Sequence, residues 1–173
     1  MAELLRSRGC TAVEFNICGQ GSALADVHKL VRATGLDEIV RFHGQCSGPE
    51  LKKMYEHAHV VVVPTTTDFR DGFNQVVAEA ALAGRIVVTS RVCPAIRYVN
   101  AVVREVEPDD VQGYAGALEE LYRVRTGCMN RALDKADRDR FFDVSYGWAT
   151  AVERVVRSLG LRRPHRQAPY RRS

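Results

Sequence analysis

Asp71 and Glu79 stand eight positions apart in the stretch Asp71-Gly72-Phe73-Asn74-Gln75-Val76-Val77-Ala78-Glu79-Ala80. A helix here carries Asp71 at its mouth and Glu79 a little over two turns along, roughly on the same side, because a helix has about 3.6 residues per turn. Carboxylates accept hydrogen bonds from hydroxyls, and the unpaired N–H groups of a helix start suit a phosphate. The combination points to a site for a sugar carried on a nucleotide. The plainer readings are a turn or capping role for Asp71 and a solvated helix acid for Glu79. The small neighbours Ala78, Ala80 and Ala81 imply a close-packed helix and favour the ligand role for Glu79.

The flanking segments dictate how these acids are positioned. Val60-Val61-Val62-Val63-Pro64 reads as a buried strand running out into a Thr65-Thr66-Thr67 loop, and Ile86 to Ser90 reads as the strand by which the chain returns. A continuous apolar run is expected for a parallel strand covered on both faces. The same alternation extends along the chain. A short helix over Met1–Arg8 precedes a strand over Val13–Cys18, which Gly19-Gln20-Gly21 stops. Ser22 is placed to cap a helix to about Thr34, with Gly35 just past its end. Ile39–His43 reads as a strand, Gly48–His57 as a helix with Leu51, Met54 and Tyr55 inward, and Ala101–Val106 as a strand. Helices are expected over Asn74–Ala83, from Asp109-Asp110 to about Arg123, and near Met129–Phe141 and Val144–Leu159.

This alternation predicts an α/β fold, a Rossmann-like three-layer parallel sheet with right-handed crossovers. Ligands in such sheets bind at the carboxyl ends of strands. Gly19-Gln20-Gly21, His43-Gly44-Gln45 and the Thr65–Gln75 segment all fall there. Gly19 and Gly21 are equally readable as simple turn glycines. Arg97 and Tyr98, after Cys93-Pro94, are further candidates for the site's edge.

At 173 residues, with 46% apolar and 27% charged residues, the chain suits one soluble domain over 1–160 and a basic, unstructured tail over 161–173. The net charge of +4 is placed unevenly: Arg162, Arg163, Arg166, Arg171 and Arg172 lie in the tail, which leaves the body near −1. The body is therefore not a specific nucleic-acid binder, whereas the tail suits peripheral contact with an anionic membrane surface. No apolar run has the roughly 18 or more residues that crossing a bilayer takes. The five cysteines, Cys10, Cys18, Cys46, Cys93 and Cys128, form no C-x-x-C pair. They argue against a disulfide scaffold or zinc site and for a cytoplasmic location. Cys18 and Cys128 read as small packing residues, and Tyr146 and Trp148 as packing aromatics. His57 and His59 alternate as if on one strand face, but no third ligand accompanies them, so no metal is expected.

Five elements occur in a telling order: Phe15-Asn16-Ile17-Cys18-Gly19-Gln20-Gly21, Val40-Arg41-Phe42-His43-Gly44, Val61-Val62-Val63-Pro64, Asp71-Gly72-Phe73 through Glu79-Ala80, and Ala83-Gly84. Together they resemble the C-terminal, donor-binding half of GT-B glycosyltransferases, more narrowly the retaining family four built around a Glu-x7-Glu motif. The resemblance covers about Val13 to Trp148. It implies a hexosyltransferase that passes a sugar, with retention, from a nucleoside-diphosphate donor (UDP-, GDP- or ADP-sugar) to a hydroxyl acceptor. It implies no cofactor and no metal. By the same resemblance Glu79 binds the ribose hydroxyls and Asp71 the donor sugar. Gly72, Phe73, Asn74 and Gln75 present backbone amides to sugar and diphosphate, and the loops at Gly19, Gly21, His43 and Gln45 border the base.

Three departures qualify it. Asp71 stands where the family has Glu, and Asn74 where it often has Gly. Nothing before Val13 resembles the family's first strand, which carries an Arg and a Lys that grip the diphosphate, nor is there an acceptor domain. The expectation is a chain incomplete at its N-terminus, with a gap in the sheet beside the Val13–Cys18 strand, needing the missing acceptor half or a partner chain. Two rival readings are a non-catalytic relic or subunit, and a Rossmann dinucleotide protein using Gly19-Gln20-Gly21 with Asp37 or Glu38 as its acid. The second rival lacks the third glycine of the fingerprint and leaves the Asp71–Glu79 pair without a role.

Overall fold

The computed structural model describes residues 1–68 and 73–124. Asp71 and Gly72 lie outside the described residues. So do Cys128, Tyr146, Trp148, the helices expected near 129–141 and 144–159, and the arginine tail. All described residues belong to one compact unit, Met1–Asp134; the other unit, Lys135–Ser173, lies outside them.

The chain is α/β with parallel strands. The helices are α1 (Ala2–Ser7), α2 (Leu24–Ala33), α3 (Gly48–His57), α4 (Gln75–Leu82), α5 (Ile96–Val99) and α6 (Val111–Val124). The strands are β1 (Phe15–Cys18), β2 (Val40–Gly44), β3 (Val60–Val63), β4 (Ile86–Ser90) and β5 (Val103–Val106). They form two sheets. One is β1 beside β2, with Phe15 opposite Val40; the other is β3-β4-β5, with Val60 opposite Ile86 and Val87 opposite Val103.

β4 is buried at every position, as its central place and continuous apolar run require. Successive side chains point to opposite faces. Ile86 and Val88 meet Leu5, Cys10, Tyr114, Leu118 and Leu121 on the side of α1 and α6. Val87 faces the other side and is fully buried, where α4 and α5 lie. The second cluster, Val31, Leu36 and Val40, joins α2 to β2. Phe15 packs against both clusters and ties the small sheet to the rest.

Among the described residues the expected gap is present as the break between the sheets, where β1 pairs with β2 alone and β3 with β4 alone. The N–H of Phe15 donates to the Ile39 carbonyl just before β2 at 2.7 Å, and that of Gly19 to the Gly44 carbonyl at its end at 2.6 Å. By strand alternation those of Asn16 and Cys18 point the other way, and both residues are exposed. The groups left unpaired at this edge meet solvent and escape the cost of burial without a partner. For the same reason Val60 to Val62 are only half-buried, against the expectation of a strand covered on both faces.

Local signals account for most element ends. The carboxylate of Glu50 accepts from the Ser47 N–H at 2.7 Å and the Ser47 hydroxyl at 2.6 Å, closing the start of α3 with Pro49 in its first turn. Gly35, at φ 62°, and Gly84, at φ 72°, follow α2 and α4 in the left-handed conformation that glycine adopts without strain. Four expectations shift. Ser22 does not cap α2: the Leu24 N–H bonds to the Gly21 carbonyl at 3.1 Å, and the resulting turn delays the helix. The strand expected from Ala101 begins at Val103, because α5 and a 3-10 turn over Asn100–Val102 take up the preceding residues. His57 ends α3, bonded through Nδ1 to the Lys53 carbonyl, and so shares no strand face with His59. Cys18 is exposed and not a packing residue.

Candidate functional site: the loop ends around Glu79

The loop after β3 is anchored before it reaches the acids. Tyr114 of α6 donates its hydroxyl to the Val63 carbonyl and accepts the Thr65 N–H, both at 3.2 Å. Ser90 at the end of β4 donates to the Thr65 carbonyl at 3.1 Å, and Thr89 to the Val63 carbonyl at 2.8 Å. These hydroxyls are buried, and each bond satisfies a group whose burial alone would cost about 1–3 kcal/mol. Further out, the Asp109 carboxylate accepts from the Thr67 N–H at 3.1 Å and the Thr67 hydroxyl at 3.0 Å. Asp109 sits at φ 60°, a conformation disfavoured for residues other than glycine, which these bonds help to hold.

The chain is anchored again beyond the acid motif's first member. The Phe73 ring packs on Tyr98 with centroids 5.9 Å apart. Asn74 is the N-cap of α4, its side-chain oxygen accepting from the Val77 N–H at 3.2 Å. This satisfies one of the first-turn donors and leaves those of Gln75 and Val76 without an intrahelical acceptor. Asn74 thus has a structural reason independent of any ligand, and Tyr98 reaches the segment through Phe73.

Glu79 lies on α4 between the buried Ala78 and Ala80, and is itself exposed. The Tyr55 hydroxyl of α3 donates to its carboxylate at 3.0 Å. Tyr55 is buried. Burial first, then the hydrogen bond to Glu79 and its charge, raises the phenol above the ordinary tyrosine range, so it remains a donor. One oxygen of the carboxylate is thus held by Tyr55, while the residue remains exposed. The sequence placed Tyr55 inward but carried no sign of this bond, which joins residues 24 apart.

Of the expected base-bordering residues, Gly19 needs its glycine for backbone reasons: its φ is 132°, and its N–H closes onto the Gly44 carbonyl at 2.6 Å. Gly21 has no such requirement, and a Cβ there would meet no described atom within 4 Å. His43 and Gln45 are exposed. His43 Nε2 is 2.6 Å from the Asn16 side-chain oxygen, and the Asn16 amide donates to Glu14 at 2.9 Å. This short polar chain, absent from the sequence reading, fixes His43 on the exposed side of β1 and β2. Among the described residues no group of three or more His, Cys, Asp or Glu is gathered as a metal site would require. No described helix is long and apolar enough to cross a membrane.

Glu79 thus lies on α4, the helix that follows β3 in a parallel α/β arrangement, the kind of sheet whose strand carboxyl ends hold ligands. The family model described as "Glycosyl transferases group 1" matches residues 1–123, and the chain belongs to that family. It is similar to a D-inositol 3-phosphate glycosyltransferase of Arthrobacter sp. (strain FB24), 35% identical over 138 residues, covering 76% of this chain and 32% of that protein. The chain thus spans about a third of that relative's length. Among solved structures it resembles a glycosyltransferase from Rickettsia africae, with TM-score 0.73 and 14% identity over 91% of this chain and 43% of that one. It also resembles the pneumococcal O-GlcNAc transferase GtfA in complex with UDP and GlcNAc, with TM-score 0.68 and 19% identity over 90% of this chain and 32% of that one. These structural likenesses carry the GT-B fold.

Proposed function

We propose that this chain is the nucleotide-sugar-binding part of a retaining glycosyltransferase that passes a hexose-type sugar from a nucleoside diphosphate to a hydroxyl acceptor. The observation that carries the reading is the Glu79 carboxylate, held at 3.0 Å by Tyr55 while remaining exposed. An acceptor fixed in this way suits the paired hydroxyls of a ribose. The free N–H groups of Gln75 and Val76, at the positive end of α4, offset the charge of a departing diphosphate. Asp71 contacts the donor sugar, and Gly72 to Asn74 border it. Gly19, Gly21, His43 and Gln45 lie around the base. The binding of UDP by the pneumococcal neighbour supports a nucleotide donor. The relative's name supports transfer to a polyol hydroxyl, as one example of an acceptor.

The reacting groups that complete the transfer, among them the acceptor site, come from polypeptide beyond the described residues or from a partner chain. The one-sided pairing of β1 and β3 among the described residues favours this reading, because it leaves an edge on each for a further strand. No cofactor takes part. The arginines at 162–172 are placed to draw the protein to an anionic membrane surface from the cytoplasmic side.

Titration calorimetry and thermal melts with UDP-, GDP- and ADP-sugars test the proposal. One nucleotide series should bind and raise the melting temperature while NAD does not, and Glu79→Gln should lower that affinity about tenfold, the weight of one hydrogen bond to a charged group. Binding of NAD with no effect of Glu79→Gln would instead support a dinucleotide protein.

A further inference from the structure

Cys18 ends β1 and Cys46 lies two residues beyond β2. The register between these strands shifts after Ile17, which brings Cys18 opposite Gly44. Cys46 turns back over the same residue, its Sγ 3.8 Å from the Gly44 carbonyl oxygen. Both cysteines thereby meet at Gly44, near enough for the two thiols to influence each other, although 28 positions separate them in the sequence (46 less 18). Cys18 is exposed and Cys46 partly so, whereas Cys10 and Cys93 are buried. No third ligand gathers beside the pair among the described residues, so two-electron thiol chemistry fits it better than metal binding.

We infer that Cys18 and Cys46 form a redox-modification site, which a low-molecular-weight disulfide such as oxidised glutathione closes into an intrachain disulfide. The Cys46 thiolate attacks one sulfur of the oxidant, forming a mixed disulfide and releasing one glutathione thiolate. Cys18 then loses its proton to water and attacks the Cys46 sulfur, releasing the second glutathione. Two protein thiols lose two electrons and two protons, and the oxidant becomes two thiols. Cys18 takes the second role because burial first, and then its contact with Cys46, pushes its thiol up to about 11 and keeps it protonated.

The bridge ties the Gly19–Gly21 turn to the loop carrying Gln45. The oxidised chain therefore binds nucleotide more weakly than the reduced one. This coupling rests on the nucleotide-sugar reading; the disulfide itself does not.

The test is to treat the full chain with oxidised glutathione, block remaining thiols with N-ethylmaleimide, and map non-reduced peptides by mass spectrometry. The expected result is a Cys18–Cys46 cross-linked peptide, lighter by two hydrogens than its parts, with Cys10 and Cys93 alkylated once the chain is unfolded. Separate glutathione adducts on Cys18 and Cys46, or alkylation of both, would overturn the proposal. Cys46→Ser, checked for folding by circular dichroism, should abolish the bridge and leave Cys18 unmodified; oxidation of Cys18 at the wild-type rate there would refute the order of attack. UDP titrations before and after oxidation read the coupling: severalfold weaker binding, restored by dithiothreitol, is expected, and equal affinity in both states would refute it. A reduced chain that binds no UDP would count against the nucleotide reading, while the peptide map would still decide the disulfide.

Discussion

Tyr55 and Glu79 share one hydrogen bond, and that bond sets what each can do. Removing the phenol hydroxyl frees the carboxylate to rotate and loses about 1 kcal/mol of stability. Tyr55→Phe should therefore lower the melting temperature by a few degrees and weaken nucleotide binding, both measurable in one thermal-shift series. The same bond makes an alkaline signature. The folded-state phenol titrates above the unfolded one, so its contribution is complete below about pH 10 and declines as pH rises beyond that value. Chemical denaturation at pH 8 and pH 11 should show this decline in the wild type and a smaller one in Tyr55→Phe. If Asp71 holds the donor sugar as proposed, Asp71→Ala should weaken a UDP-sugar while leaving UDP itself unchanged, whereas Glu79→Gln should weaken both. Equal losses for UDP and UDP-sugar in Asp71→Ala would remove its sugar role.

At the scale of elements, α4 depends on its start. Asn74 satisfies the Val77 N–H, and Asn74→Ala should cost about 1 kcal/mol, read as a shift in the urea midpoint, while Asn74→Gly costs only a few tenths. α3 is closed by Ser47 and Glu50, whose carboxyl is held below its ordinary range by the Ser47 hydroxyl and N–H. Its contribution is present above the unfolded glutamate pKa and lost as pH falls below it. Helix starts of this kind are legible because donor and acceptor are three residues apart: Ser47-Gly48-Pro49-Glu50 spells the box in full. The start of α2 is less legible for a related reason. Ser22 has the chemistry of a cap, but the Leu24 N–H bonds to the Gly21 carbonyl, and composition does not rank two local options.

At the scale of the whole molecule, the described residues form two sheets that share a core without sharing a ladder. Phe15 bridges the clusters on either side, so the small sheet is held by packing and not by strand pairing. Hydrogen exchange should register this directly. The amides of Asn16 and Cys18 should exchange faster than that of Ile17, which alternation directs toward β2. Uniform slow exchange across 15–18 would mean that the edge is covered. A free edge also invites pairing between chains, so the weight-average mass in sedimentation should rise with concentration unless a further strand is supplied.

Element identities and order, most boundaries and the acid motif follow from the sequence, because hydrophobic period, caps and turn residues act within a few positions along the chain. Only the tertiary structure decided that Tyr55 holds Glu79, that Asn16 holds His43, that Cys18 meets Cys46, and that β3 is a half-covered edge. Each joins residues distant in the chain, and such contacts arise from the register of strands and the packing of helices, which no local pattern encodes.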